Sequence, residues 1–296
     1  NQSAWYFLVR GDSEKKLVIY GRDEYFDKFN GETISINGNP TKVCSLDNDN
    51  CDVIRQVFPF TNPSSHKGKA ITMGLGDRLG IASPGHIRTV ADKSVFPILA
   101  QQSIRELNLT GRTYRDVLSA ACWAVCQEGY TKGFGADGDH LKTPEEVKMA
   151  LDNGFTMITL DCSEHIDNKV TSYTKEQVEE KYLEVDQQER EYLEDKYLNK
   201  EIKLKDGSVI NFESQTFKEI ILIYLKAIKF ASEIYNNVIK TCGRQIDFEM
   251  SVDETLTPTT PQAHYFVASE LIARDVDVTS LAPRFCGEFQ KGIDYR

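Results

Sequence analysis

From residue 71 onward the chain repeats one phrase: a short apolar run, a polar or glycine-rich ending, and in most cases a helical pattern after it. The runs cover 71–79, 95–100, the approach to Phe134-Gly135-Ala136-Asp137-Gly138-Asp139-His140, 155–160, 246–252 and 278–282. Strands that alternate with helices, with polar chemistry at each strand's C-terminal end, make the pattern of a β/α barrel. The expected fold is therefore α/β, a TIM-type (β/α)8 barrel with about six of its eight strands present. A doubly wound open sheet is the alternative.

The helices between these runs carry their own start and stop signals. Segment 113–129 is amphipathic and closes on Gly129. Thr143-Pro144-Glu145-Glu146 opens another helix and Gly154 ends it. Residues 1–66 read as a small N-terminal α/β domain. Its apolar runs 4–9 and 16–20 flank Gly11-Asp12-Ser13, a hairpin signal, and 32–36 stops at Asn37-Gly38. Asn62-Pro63-Ser64-Ser65-His66-Lys67-Gly68-Lys69 reads as a linker to a barrel domain over 67–296.

That domain carries an insertion at about 167–213. Within it Tyr182, Leu183, Tyr192, Leu193 and Tyr197 are spaced as a helical stripe, and Asp206-Gly207 centres a hairpin. Thr216-Phe217-Lys218-Glu219 is a capping box opening a long helix to about residue 241. A lid or an oligomer contact are the roles open to such an insertion.

The net charge of -10, from 45 acidic and 35 basic residues, argues against a nucleic-acid partner. No run of about 18 apolar residues predicts a membrane span. Seven cysteines at irregular spacing, with no Cys-x-x-Cys pair, read as reduced thiols of a cytoplasmic protein. The chain opens on Asn1 and closes on Asp294-Tyr295-Arg296, so it is expected to be part of a longer protein.

Chemistry concentrates at the predicted strand ends. His140, His165 and His264 each fall at or just past one, and three on one rim point to a metal or acid/base site. His86 reads as a backbone-bonded turn residue, and His66 as part of the linker. In 246–252, alternation puts Asp247, Glu249 and Ser251 on one face. Asp137, Asp139 and His140 are either a capped turn or part of a site. Gly74-Leu75-Gly76-Asp77-Arg78-Leu79-Gly80 is spaced one residue too long for a dinucleotide loop, and its glycines would admit a sugar or a metal-bound ligand. Arg78, Lys142 and Arg284 are candidates to hold a carboxylate.

Gly76-Asp77-Arg78-Leu79-Gly80-Ile81, Phe96-Pro97-Ile98-Leu99-Ala100-Gln101-Gln102-Ser103 and Thr110-Gly111-Arg112-Thr113-Tyr114-Arg115-Asp116 resemble the tagaturonate epimerase family of bacterial hexuronate catabolism. The resemblance extends through Gln127-Glu128-Gly129-Tyr130, the run to His140, Glu249-Met250-Ser251-Val252-Asp253-Glu254-Thr255 and Thr257-Pro258-Thr259. His264, Gly287-Glu288 and Lys291-Gly292-Ile293-Asp294-Tyr295 complete it. It implies a metal-dependent barrel enzyme that interconverts D-tagaturonate and D-fructuronate, and in some members tagatose and fructose.

By position, Asp139 resembles the proton acceptor and Glu249 the proton donor. His140 resembles a ligand of one divalent cation (Zn, Mn, Ni, Fe or Co), with His264 in the same metal site. A further ligand histidine is implied beyond residue 296. Asp77, Arg78, Gln101, Gln102 and Arg284 are the candidate substrate-binding residues. The expected partner is a ketouronate or ketohexose, with homo-oligomerisation open. A metal-dependent ketose isomerase or aldolase, or a non-catalytic sugar-acid-binding protein, are the alternatives.

Overall fold

The computed structural model describes residues 4–69, 71–253 and 255–287. Glu254, Glu288 and 291–295 of the family-like segments lie outside the described residues. The chain forms two compact units. One takes in residues up to 139 with 148–158 and 245–247; the other takes in 140–147, 159–244 and residues from 248 on.

The first unit begins with β1 (Ala4–Arg10), β2 (Lys15–Gly21), β3 (Gly31–Ile36) and β4 (Asn39–Ser45), an antiparallel sheet in the order β1-β2-β4-β3. Helix α1 (Asn48–Val57) follows, and the Asp47 side chain caps it by accepting from Asn50 N. Leu17, Ile19, Phe26, Cys44 and Ile54 are fully buried here. The Lys42 ammonium is buried with them, and it donates to the carbonyls of Phe26 (2.7 Å) and Phe29 (3.0 Å). Those bonds replace the water it loses.

The remaining elements are β5 (Thr72–Gly76), α2 (Ser83–Val90), β6 (Phe96–Gln102), α3 (Ile104–Thr110), α4 (Tyr114–Glu128), β7 (Gly135–Leu141), α5 (Pro144–Asn153) and β8 (Met157–Asp161). After them come α6 (Lys175–Leu183), α7 (Gln187–Tyr197), the hairpin of β9 (Glu201–Lys203) and β10 (Val209–Asn211), and α8 (Ser214–Ile234). The described elements close with β11 (Asp247–Ser251), α9 (Pro261–Ala273) and β12 (Ser280–Ala282).

The second sheet has six strands in the order β12-β11-β8-β7-β6-β5, and the β5–β6, β6–β7 and β11–β12 pairs are parallel. This corrects the expected eight-stranded barrel. Strands β5 and β12 each have a neighbour on one side only, so the sheet is open, and among the described residues no further strand joins its edges. Periodicity marks where a strand lies, but closure depends on strand number and stagger that no local pattern encodes. The doubly wound alternative is also not what forms, because strand order follows chain order without the reversal that fold requires.

Local signals explain most boundaries. Thr113 and Asp116 form a capping box at the start of α4, and Gly129 ends it at φ 59°, a conformation that a Cβ disfavours. The expected box at Thr216 does not form: α8 starts three residues earlier with Glu213 as N-cap, whose side chain makes no capping bond. The insertion stripe divides into two helices. Tyr182, Leu193 and Tyr197 are buried, whereas Leu183 and Tyr192 are 57% and 44% exposed.

The expected linker is pinned in place. Ser64 N donates to Phe134 O (2.8 Å), while Ser65 Oγ and His66 N donate to the Asp247 carboxylate at 2.6 and 2.7 Å. Asp247 is buried, and a buried carboxylate without donors would be costly, so 64–66 fold onto it. Among the described residues, no helix is long and apolar enough to cross a membrane.

Candidate active site

In the second unit, polar side chains lie along β8, β11 and β12 and at or just past the C-terminal ends of β7, β8 and β11. Glu249 on β11 pairs in register with Ser280 on β12. Its Oε2 accepts from Ser280 Oγ at 2.5 Å and its Oε1 from Thr159 Oγ1 at 3.4 Å. Two hydroxyl donors fix the carboxylate in one orientation. It remains half-buried, within reach of solvent.

A second group follows the same strand. Ser251 Oγ donates to Asp253 Oδ1 at 2.6 Å, and that oxygen lies 4.0 Å from His140 Nε2. His140 has φ 55°, the left-handed region that a residue with a Cβ enters at a cost. A strained residue at a strand end is a recurrent mark of a functional position.

Lys142 Nζ sits 3.3 Å from both Asp161 and Glu164. Burial alone would raise the Asp161 carboxyl, but hydrogen bonds from Ser163 and the Lys142 ammonium outweigh it and hold the group below the usual carboxylate range. Burial likewise pulls Lys142 down, and its two carboxylates reverse that and raise it. Lys142 is thus a fixed cation beside the strand ends.

The first unit has its own strand-end set, and much of it shapes loops. Asp77 accepts from Ile81 N, Ala82 N, Ser83 N and Ser83 Oγ, all within 2.9 Å. It is 5% exposed and organises the turn into α2. Gln102 is buried, donating to Arg78 O (3.2 Å) and accepting from Arg112 (3.3 Å). Gln101 is half-buried and donates to Asp137 at 3.5 Å. It is aimed by a bulge in β6, where Ala100 takes φ 56° and the pairing with β5 and β7 slips.

Arg78 lies 3.6 Å from Glu106, whose carboxyl is held down to about 2: burial would raise it, and Ser103 and Arg105, with Arg78 nearby, overcome that. Two of the loop glycines, Gly74 and Gly80, admit protein rather than ligand. A Cβ on Gly74 would meet Gln101 Oε1 at 2.7 Å, and one on Gly80 would meet Arg112. Asp139 is half-buried at the end of β7.

The three rim histidines do not gather. His165 stacks on Phe230 with ring centroids 3.9 Å apart, and His264 is exposed on the first turns of α9. Arg284 is exposed and its Nη1 lies 3.5 Å from Asp253 O. His140 and Asp253 have the donor chemistry a divalent cation takes. Their count falls short, since the described residues hold no group of three His, Cys, Asp or Glu able to bind a metal.

Sequence reasoning missed Thr159, Asp161 and Ser280 as site residues. The available signal was positional: each falls in or just past one of the apolar runs.

A parallel sheet whose carboxylates, ammonium and imidazole cluster at C-terminal strand ends is the arrangement of α/β enzymes that act on small polar molecules. Within that class, the chain belongs to the tagaturonate epimerase family, whose model matches residues 1–296. The tagaturonate/fructuronate epimerase of Thermotoga maritima is 41% identical over 296 residues, covering 98% of this chain and 59% of that protein. Crystal structures of the fructuronate-tagaturonate epimerase UxaE from Cohnella laeviribosi, native and with one glycerol bound, superpose with a TM-score of 0.95 at 49% identity. Each match covers 99% of this chain and 59% of the crystallised chain. The chain therefore spans about three fifths of the length of these relatives.

Proposed function

We propose that this chain carries catalytic residues of an enzyme that interconverts D-tagaturonate and D-fructuronate. The observation that carries the reading is the Glu249 carboxylate on β11, held between Ser280 and Thr159 of the neighbouring strands, in a chain of this family.

The two ketouronates differ at the carbon β to the ketone. Its C–H is not acidified by the carbonyl, so enolisation cannot invert it. Retro-aldol cleavage can. A base removes the proton of the β-hydroxyl, the bond between the α and β carbons breaks, and its electron pair becomes an enediolate while the β carbon becomes an aldehyde. The aldehyde turns its other face, the enediolate carbon re-adds, and the new alkoxide recovers a proton.

Asp139 is the residue proposed to take the hydroxyl proton and Glu249 the one to return it, with roles exchanged in the reverse direction. The Ser280 and Thr159 hydroxyls keep Glu249 aimed. Lys142 adds a fixed positive charge near the strand ends, and Arg284 is a candidate for the substrate carboxylate. A divalent cation, when bound by His140 and Asp253 with donors from outside the described residues, would supply Lewis-acid stabilisation of charge on the ketone oxygen.

The test is to incubate the protein with tagaturonate, with and without a chelator, and resolve the products. The expected result is fructuronate, formed only without chelator and with no net three-carbon fragments. Three-carbon products would point to an aldolase, and fructuronate formation indifferent to chelator would remove the metal from the proposal.

A further inference from the structure

The insertion and α8 line a cavity of about 350 Å3 that none of the strand-end chemistry uses. Val170, Ile221, Leu222 and Leu225 form its apolar lining, with Tyr173 beside them. Val170, Ile221 and Leu225 are buried in the core.

The charged groups around the opening are largely committed. Lys181 pairs with Glu184 at 2.8 Å, and Lys229 pairs with Glu189. Asp167 and Asp186 each use Oδ1 to cap a helix start, accepting from Lys169 N (3.0 Å) and Glu189 N (3.1 Å). Three capacities are left over: the second oxygens of those two aspartates and the Lys226 ammonium, which has no ion pair or hydrogen bond among the described residues.

We propose that this cavity binds a free α-amino acid with an apolar side chain. Its carboxylate meets Lys226, its ammonium meets Asp167 and Asp186, and its side chain lies on the Val170–Leu222–Leu225 wall. The volume sits at the lower end of small-ligand pockets and has room for a single amino acid. The apolar wall offers nothing to a row of sugar hydroxyls, whose burial without partners is costly. A ligand with one charge would leave the opposite charge of the opening unmatched. The insertion would then be a sensor of amino-acid supply on a sugar-acid enzyme, built apart from the strand ends.

The experiment is calorimetric titration of the 296-residue chain with L-leucine and L-phenylalanine. 4-Methylpentanoate, which lacks the ammonium, and isoamylamine, which lacks the carboxylate, are run beside them. The expected result is saturable binding of at least one amino acid, with both single-charge analogues weaker by about tenfold or more, the value of one charge-assisted hydrogen bond. Lys226→Gln, at an exposed position that leaves the fold intact, should weaken the amino acid about tenfold. Leu222→Trp, which puts a bulky ring on the wall where the side chain would lie, should weaken binding strongly. Failure of both amino acids to bind overturns the proposal. So does an analogue that binds as tightly as the amino acid, or binding unchanged in Lys226→Gln or Leu222→Trp.

Discussion

Ser280 Oγ lies 2.5 Å from Glu249 Oε2, and the two residues are register partners on neighbouring parallel strands. The hydroxyl holds the carboxylate's direction without adding charge. Ser280→Ala should lower turnover about 10- to 100-fold, the rate equivalent of one hydrogen bond to a charged group, at unchanged thermal midpoint. Ser280→Thr should recover most of it, and Glu249→Gln should abolish it. Steady-state kinetics on tagaturonate with parallel melting curves make the comparison.

His140 tests the link between strain and function. Its φ of 55° suits glycine, so His140→Gly should be more stable than His140→Ala by about 1 kcal/mol in urea denaturation. Both variants should be inactive, because neither has an imidazole beside Asp253. Equal stabilities would mean that the backbone carries no strain there.

Asp77 makes stability depend on pH in a definite direction. Burial would raise its carboxyl, but the Ser83 hydroxyl and the N–H groups of Ala82, Ser83 and Ile81 prevail and set it below the ordinary 3.8. A group depressed on folding stabilises fully above its unfolded value and loses that contribution as pH falls through the folded one. Asp77→Asn should therefore cost about 2 kcal/mol at pH 7. The gap to the parent chain should close on acidification below 3.8, as read by denaturation at several pH values.

Glu270 anchors the insertion. It is fully buried, 2.8 Å from Lys196 and 2.7 Å from Tyr197 OH, with Arg274 at 3.5 Å. Lys196→Met strips the nearest cation from a buried carboxylate and should cost about 3 kcal/mol in urea denaturation. Glu270→Gln, which keeps an acceptor for Tyr197, should cost less.

What could be read from the sequence was mainly what depends on neighbours in the chain. The boundaries of α4 followed from Thr113 and Gly129, and the β9–β10 hairpin from Asp206-Gly207. Placing Asp247, Glu249 and Ser251 along one strand needed only period-2 alternation. The errors share a different cause. His66 and Asp247 are far apart in sequence, so a polar stretch looked like a free linker when it was the cap of a buried carboxylate. Asp77 looked like a ligand contact because its four donors come from a turn whose geometry no composition reveals. The left-handed Ala100 and His140 leave no mark in residue type, since glycine is what such positions favour. Sheet closure, too, is a property of all the strands together.

The chain-ordered sheet also sets a timetable for synthesis. Strands β5 to β8 emerge one after another, and each neighbours its predecessor in the folded sheet. The sequence then detours through the insertion and α8 before β11 appears. Throughout that interval β8 is the growing edge, an apolar strand with its outer row of amide and carbonyl groups bare. The insertion is thus also a delay: its length sets how many residues are made between β8 and the strand that pairs with it.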